Sequence, residues 1–212
     1  MNRVIDIVAQ ALSILLYPLF IPTYGVALFC YAFSMHVLPL PWVWTLVAVL
    51  GTFLLTCVLP LSAIGIMIRR GHVKDLEIAE ASQRTMPYIY TTMSFTFWCY
   101  LLISILRVPT YLAYVAVGAT VGIGLVALIN KRWKISAHLT AFGGMFGGLM
   151  SYCLGIGAIP TRSTFVLWLS ISLVLMYARV RLNAHTPAQV CAGWLMGIVC
   201  TFIPYCLVYY VV

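Results

Sequence analysis

Two histidines of this 212-residue chain stand beside basic residues at the predicted starts of apolar helices. His138 lies about one turn inside an apolar segment, with Lys134 before it and Ser136 placed as its N-cap. His185 comes directly before a capping box, Thr186-Pro-Ala-Gln189, with Pro at the first helical position. Imidazoles act as nucleophile and acid near neutral pH, and helix N-termini bind anions. These residues predict a site that holds an anion between two imidazoles.

Arginines accompany both histidines in the sequence. Arg179 ends the predicted helix before His185 and lies six residues upstream of it. Arg84 lies in a polar segment that leads into another apolar run. A lone Arg or His at a membrane interface is commonly only an anchoring or capped residue. The sequence therefore also leaves open a purely structural role for these side chains.

Three segments that carry these residues resemble, in the same order, the signature motifs of the type-2 phosphatidate phosphatase superfamily. Residues 178–193, Ala-Arg-Val-Arg-Leu-Asn-Ala-His-Thr-Pro-Ala-Gln-Val-Cys-Ala-Gly, resemble the third signature, Ser-Arg-x5-His-x3-Asp. Residues 134–138 end in Ile-Ser-Ala-His, which resembles the second signature, Pro-Ser-Gly-His. Residues 74–87 contain a degenerate form of the first signature, Lys-x6-Arg-Pro. The resemblance is to the bacterial type of member, which implies a bacterial inner (plasma) membrane location.

The resemblance implies a role for each matching residue. His185 is then the nucleophile that forms a phosphohistidine, and His138 is the acid that protonates the leaving oxygen. The residues that hold the phosphate oxygens are then Lys134, Ser136, Arg84 and Arg179, together with backbone amides at the helix start. Phosphoryl transfer depends mainly on positioning and charge stabilisation. We therefore predict that no metal and no cofactor are needed, and the sequence has no carboxylate cluster to bind a metal.

Gln189 departs from the family pattern, which has Asp at this position to orient the nucleophilic histidine. A Gln carbonyl still accepts a hydrogen bond from Nδ1–H, but it supplies no negative charge as the imidazole becomes cationic. Two functions follow from this difference. One is an integral membrane phosphatase acting on a lipid phosphate or diphosphate. The other is a weak or inactive relative that binds or transports a phosphorylated lipid, and the sequence names neither the lipid nor the oligomeric state.

The composition requires a membrane-embedded scaffold for this site. Hydrophobic residues make up 64% of the chain and charged residues 8%, against about 25% charged residues in soluble domains. These values exclude a soluble globular protein and a disordered chain. Long uncharged stretches also argue against the continuous basic face of a nucleic-acid-binding protein. We predict one phosphatase-like domain over residues 1–212, an all-α, polytopic transmembrane helical bundle of about six to seven spans.

Apolar runs of about the length of a bilayer crossing recur along the chain. They cover residues 8–34, 42–68, 88–106, 111–130, 137–154, 163–178 and 188–211. The first run contains Pro18 and Pro22, which predict either a kink or two shorter helices. The sixth run is short for a full span. Glycine pairs at four-residue spacing, Gly143/Gly147 and Gly193/Gly197, predict close helix packing in lipid.

The charged residues collect on one side of this predicted bundle. With seven crossings, ten of the 12 Lys and Arg residues and all four Asp and Glu residues share that side with the histidine site, and the net charge is +8. The positive-inside rule would make this side cytoplasmic. Cations that bind an anionic substrate weaken that inference. The side of the membrane that holds the site therefore stays open.

Overall fold

The structure, a computed structural model, describes residues 2–75, 78, 83–155 and 162–211, without the side chains of residues 2 and 205–211. Over these residues it is all-helical and has no strand. The helices are α1 (Asn2–Leu15), α2 (Ile21–His36), α3 (Trp42–Phe53), α4 (Leu59–Arg69), α5 (Thr85–Tyr100), α6 (Thr110–Ile129), α7 (Ala137–Gly155), α8 (Arg162–Arg181) and α9 (Pro187–Val211). Part of the 74–87 segment, including Glu77 and Glu80, lies outside the described residues.

Two π-helical turns lengthen the helices of the bundle. Leu54–Val58 joins α3 to α4, and Leu101–Ile105 extends α5. The segments long and apolar enough to cross a membrane are Trp42–Arg69, Thr85–Ile105, Thr110–Ile129, Arg162–Arg181 and Pro187–Pro204. These five segments identify an integral membrane protein. The sixth predicted run is longer than the apolar pattern indicated, because α8 continues through Arg179 to Arg181.

The first predicted run is two helices rather than one. α1 ends at Leu15, and a tight turn follows in which the Phe20 N–H donates to the Tyr17 carbonyl at 2.9 Å. α2 then begins at Ile21 with Pro22 in its first turn, where a missing N–H removes no helical hydrogen bond. Of the two predicted alternatives, a kink or two shorter helices, the structure has two helices.

α2 runs parallel to α7 through the bundle. Near the start of both helices, Ile21 packs in a buried cluster with Leu139 and Phe142. Farther along, the rings of Phe29 and Tyr152 meet edge to face with centroids 5.3 Å apart. α2 and α7 therefore begin at one end of the bundle and descend side by side toward the other.

α7 and α9 pack closely through their glycines, as the sequence predicts. A Cβ atom on Gly147 would lie 2.7 Å from the carbonyl oxygen of Ile198, and one on Gly193 would lie 2.7 Å from that of Ser136. Real Cβ atoms do not approach this closely, so only glycine permits the contact. The contact at Gly193 places the first turns of α9 directly against the residues that precede α7.

Candidate functional site

The candidate site lies at the end of the bundle where α5, α7 and α9 begin and α6 and α8 end, here called the site end. A Schellman motif brings the chain back toward α8 at this end. Asn183 adopts a positive φ of 53°, its N–H donates to the Val180 carbonyl, and the Ala184 N–H donates to the Arg179 carbonyl at 3.1 Å. The His185 N–H reaches the same Arg179 carbonyl at 3.3 Å. The motif thus holds His185 beside the last turn of α8.

The imidazole of His185 is held through Nδ1. This nitrogen lies 3.2 Å from the carbonyl oxygen of Lys134 and 3.3 Å from Oε1 of Gln189. Both neighbours are acceptors, so Nδ1 carries the proton and Nε2 keeps its lone pair. A histidine with a free lone pair on Nε2 is in the form that a nucleophile requires.

The predicted capping box sets the orientation of the Gln189 carboxamide. The Thr186 N–H donates to Oε1 of Gln189 at 3.1 Å, and the Gln189 N–H donates to Oγ1 of Thr186 at 3.4 Å. A backbone N–H can only donate, which fixes the oxygen rather than the amide nitrogen beside Thr186 and His185. Gln189 therefore makes the hydrogen bond to Nδ1 that the resemblance assigns to an aspartate.

Ser136 caps α7 and joins it to α9. Its side chain is fully buried, and its Oγ accepts a hydrogen bond from the Leu139 N–H at 3.5 Å. Its own N–H donates to the backbone carbonyl of Gln189 at 3.4 Å. The predicted N-cap is confirmed. The first backbone amides of α7 and the two predicted motif segments consequently meet at the site end.

His138 is the second residue of α7 and is held through the opposite nitrogen. Its Nε2 lies 3.2 Å from the backbone carbonyl oxygen of Ser13 in α1, which makes Nε2 the protonated nitrogen. The Tyr17 ring packs edge to face on the imidazole, with centroids 5.6 Å apart and planes at 88°. His138 is 9% exposed. Sequence reasoning did not anticipate that α1 would contact this histidine.

Arg179 connects the two imidazoles electrostatically. Its side chain is 6% exposed, and its charge interacts with both His138 and His185. The two histidines also interact with each other. The structure therefore brings together three of the residues that the motifs indicated, and Lys134 adds a second cation that acts on His185.

Burial of His185 and these neighbouring cations set its protonation state. Loss of solvent, followed by the charges of Arg179 and Lys134, lowers the pKa of His185 from its ordinary value of 6.5 to about 4. The hydrogen bonds to the Lys134 carbonyl and to Gln189 act in the opposite direction and are weaker. His185 is therefore neutral at physiological pH.

Arg84 lies at the site end but is anchored in the protein. It is 4% exposed; its Nε donates to the Ile78 carbonyl at 2.7 Å, and its Nη1 donates to Oδ1 of Asn130 at 3.1 Å. Asn130 is itself 3% exposed, and its Nδ2 donates to the Val126 carbonyl at 3.0 Å. Asn130 was not among the predicted site residues. Its only sequence signal is an amide at the end of an apolar run.

Tyr88 is a second residue that sequence reasoning missed. It lies one turn after Arg84 in α5, and its phenol interacts electrostatically with both Arg84 and Arg179. The two predicted arginines therefore face a common neighbour. A tyrosine in an apolar run is commonly an interface residue, so its type alone gives no signal of this position.

The chain was compared with protein-family models, with characterised proteins and with solved structures, and none of them matches it. A neutral imidazole, a second imidazole, buried arginines and a helix N-terminus meet at one end of the bundle. This combination suits an anion whose central atom accepts a nucleophile.

Proposed function

We propose that this protein is an integral membrane lipid phosphatase that hydrolyses a lipid phosphate or diphosphate through a phosphohistidine at His185. The observation that carries the proposal is the state of His185. Its imidazole is neutral and its Nδ1 is fixed by the Lys134 carbonyl and by Gln189, so Nε2 is the nitrogen available to attack.

The first half of the proposed reaction transfers the phosphoryl group to the protein. Nε2 of His185 attacks phosphorus in line, and the bond between phosphorus and the lipid oxygen breaks as the new P–N bond forms. The leaving oxygen takes a proton from Nδ1 of His138 in its doubly protonated form. That ring is left neutral, with its remaining proton on Nε2 bonded to the Ser13 carbonyl. The products are a lipid alcohol, or a lipid monophosphate from a diphosphate, and phosphohistidine.

The second half releases phosphate and restores the site. Water attacks the phosphorus of phosphohistidine while Nδ1 of His138 takes up a proton from that water. The P–N bond breaks and its electron pair returns to Nε2 of His185. Inorganic phosphate leaves, His185 is neutral again and His138 carries the proton needed for the next cycle.

Binding of the phosphate oxygens is assigned to the positive groups of the site end. We assign this role to Arg179, whose charge acts on both imidazoles, and to the first backbone amides of α7, beside Ser136. The side chains of Lys134 and Arg84 add positive charge. A helix N-terminus and arginines together favour a dianion and stabilise the charge that spreads over the oxygens during transfer.

The order of the three motif segments supports membership of the type-2 phosphatidate phosphatase superfamily as a divergent bacterial relative. Segments 134–138 and 178–193 meet through the Ser136–Gln189 and Lys134–His185 hydrogen bonds. The described part of segment 74–87 contributes Arg84 to the same end. Gln189 takes the orienting position of the family aspartate.

A count of seven crossings fits this proposal. α2 and α7 descend through the bundle beside each other, and they add to the five segments that are long and apolar enough to span. α1 is left at the site end, where Asp6 pairs with Arg181 at 2.9 Å and Ser13 contacts His138. We place the protein in a bacterial plasma membrane.

Phosphate release tests the proposed function. Purified protein in mixed-lipid vesicles containing phosphatidate, a polyprenyl diphosphate or a lipid A phosphate is expected to release inorganic phosphate. His185→Ala and His138→Ala should abolish the release, whereas His72→Ala, in an exposed loop, should leave it unchanged. A folded wild-type protein that releases no phosphate from any of these lipids would contradict the proposal.

Gln189 favours one alternative, a protein that binds or transports a phosphorylated lipid without hydrolysing it. A neutral amide does not stabilise the imidazolium that forms during transfer, and loss of the corresponding carboxylate costs about 10⁴ in rate in a serine protease triad. Gln189→Asp separates the two functions. A large gain in phosphate release would show a catalytic pocket of reduced activity. Binding to phosphatidate vesicles with no release by either form would establish the alternative.

A further inference from the structure

A cavity of about 140 Å³ lies between α2, α5, α6, α7 and α9. Its walls are largely apolar and include Val26, Phe29, Trp98, Leu102 and Leu112. Apolar cavities of about 150 Å³ stay dry and bind a hydrocarbon of about six carbon atoms. The cavity is therefore of the size and chemistry of a short hydrocarbon segment.

The hydroxyl groups around this cavity do not make it polar. Five lining threonines each donate to a carbonyl oxygen four residues earlier in their own helix: Thr52, Thr56, Thr120, Thr140 and Thr201. A threonine bonded in this way has its hydroxyl satisfied by the backbone and offers its methyl group to the surroundings. The lining consequently has little to attract water.

One end of the cavity adjoins the candidate site. Ala137 lines the cavity and directly precedes His138, and Pro18 lines it and directly follows Tyr17, whose ring packs on His138. The opposite end reaches Tyr152, near the end of α7. A molecule with a phosphate between the imidazoles therefore has an apolar space beside it, inside the bundle.

We propose that this cavity binds one hydrocarbon segment of the phosphorylated lipid, so that part of a chain enters the bundle while the headgroup stays at the histidines. This inference rests on the proposed function. The bilayer is as apolar as the cavity, so moving a chain segment from one to the other gives no hydrophobic free energy. The favourable free energy of binding comes instead from dispersion contacts with the lining atoms. Atoms that line an empty space lose their dispersion partners, and a chain segment restores them.

The first experiment fills the cavity from one wall. A Cβ atom on Gly122 of α6 would lie at an ordinary van der Waals distance, 3.8 Å, from the lining residue Cys200, so Gly122→Leu adds apolar volume at that wall. The matched control is Gly65→Leu in α4, where nothing lies within 4 Å of the added atom. Dodecyl phosphate and 4-nitrophenyl phosphate serve as substrates with and without an alkyl chain.

Gly122→Leu is expected to raise KM for dodecyl phosphate by about tenfold, because the added side chain weakens binding of the alkyl chain by about that factor. KM for 4-nitrophenyl phosphate should stay within about twofold of the parent, and Gly65→Leu should change neither value. Gly25→Val, in α2 on another wall, is the second variant, because its Cβ lies 3.8 Å from Met145. Equal KM values for dodecyl phosphate in parent and both filled variants would overturn the inference.

A binding measurement keeps this test separate from catalysis. A bromine at the end of a dodecyl phosphate chain is expected to quench Trp98 fluorescence saturably, since Trp98 lines the cavity. Trp98→Phe should remove that saturable component, and Gly122→Leu should weaken it. Saturable quenching without any phosphate release would support chain binding in the cavity and refute the proposed phosphatase activity. If phosphate were released but the saturable quenching were unchanged in Trp98→Phe and Gly122→Leu, the chain-binding role of the cavity would be refuted and the phosphatase proposal would stand.

Discussion

The two imidazoles of the site are positioned by different kinds of contact. His185 is held through Nδ1 by Gln189, four residues later in the same capping box, and by the Lys134 carbonyl. His138 is held through Nε2 by the carbonyl of Ser13, 125 residues away in the sequence. One ring therefore combines a contact inside its own capping box with one from a segment 51 residues away, whereas the other is held by a distant helix. The contrast separates the proposed nucleophile, held partly by its own capping box, from the proposed acid, held by tertiary packing.

The largest effect on phosphate release is expected from removing the imidazole of His185. His185→Ala should reduce phosphate release by at least about 10³-fold, because loss of a nucleophile removes the covalent step. Reactions with phosphate-labelled phosphatidate, quenched in alkali to preserve the P–N bond, should show labelled parent protein and unlabelled His185→Ala.

His138→Ala tests the other half of this comparison. It should slow the appearance of labelled protein but still permit it, because the nucleophile remains. Labelling of His185→Ala at the parental level would assign the covalent step to another residue and reverse the two roles.

The difference between the rings also explains how much of the site could be predicted. The capping box at Thr186 and Gln189, the N-cap at Ser136 and the division of the first apolar run depend on neighbours within a few residues. Such local rules determine where a helix begins. The apolar runs predicted the helices for a related reason, because crossing a bilayer requires a helix of a certain length and an apolar composition.

Contacts between distant segments could not be predicted in the same way. The pairing of Arg84 with Asn130 spans 46 positions, and that of His138 with Ser13 spans 125. Neither has a motif, because Ser13 contributes a backbone carbonyl and any residue type has one. The composition of α1 predicts a helix but not the partner on which it packs.

Asn130→Ala extends the comparison to a second long-range contact and should have the next largest effect. It removes the acceptor of Arg84 Nη1, and loss of one partner in a buried hydrogen bond costs about 1–3 kcal/mol. We expect lower thermal stability and a KM for phosphatidate raised by about tenfold, with a smaller change in kcat.

Thr96→Ala is the control for this substitution, because the Thr96 hydroxyl donates to the Thr92 carbonyl of the same helix, α5. It should leave KM at the parental value. If Asn130→Ala lowered stability but left KM unchanged, Arg84 would have a structural role and no part in binding phosphate.

The pH dependence of kcat/KM tests the protonation state of the His185 ring. The pKa of His185 is lowered to about 4, so the neutral, nucleophilic form dominates above that pH and is lost as the pH falls through it. The kcat/KM is expected to fall about tenfold per pH unit below about pH 4. The same depressed pKa makes the folded state lose stability as the pH decreases from 6.5 toward 4.

Lys134→Gln should move the low-pH fall of kcat/KM, the acid limb of the pH profile, to higher pH. The substitution removes a charge that lowers the pKa of His185 but retains the backbone carbonyl that holds Nδ1. Lys131→Gln, in the same connection but exposed, is the control and should leave the limb in place. An unchanged limb in Lys134→Gln would mean that burial and Arg179 alone keep His185 neutral.

The smallest effect is expected from loosening the distant helix that holds His138. Tyr17→Leu removes the edge-to-face contact on the imidazole, and such pairs contribute about 0.5–1.5 kcal/mol, or about two- to twelvefold in rate. We expect kcat to fall by that factor with little change in KM, because the substitution disturbs the acid and leaves the phosphate-binding groups in place. Labelling of His185 should still occur, since Gln189 and the Lys134 carbonyl keep their positions.

Asp6→Asn distinguishes contact with the ring from general attachment of α1. It breaks the Asp6–Arg181 pair, whose side chains are 43% and 33% exposed, and pairs of this kind contribute at most about 1 kcal/mol. Its kcat should stay within about twofold of the parent, because Ser13 and Tyr17 still contact His138. If Asp6→Asn reduced kcat as much as Tyr17→Leu, the position of α1 as a whole, and not its contact with the ring, would govern the acid. His138 would then depend on the attachment of α1 to Arg181 at the end of α8.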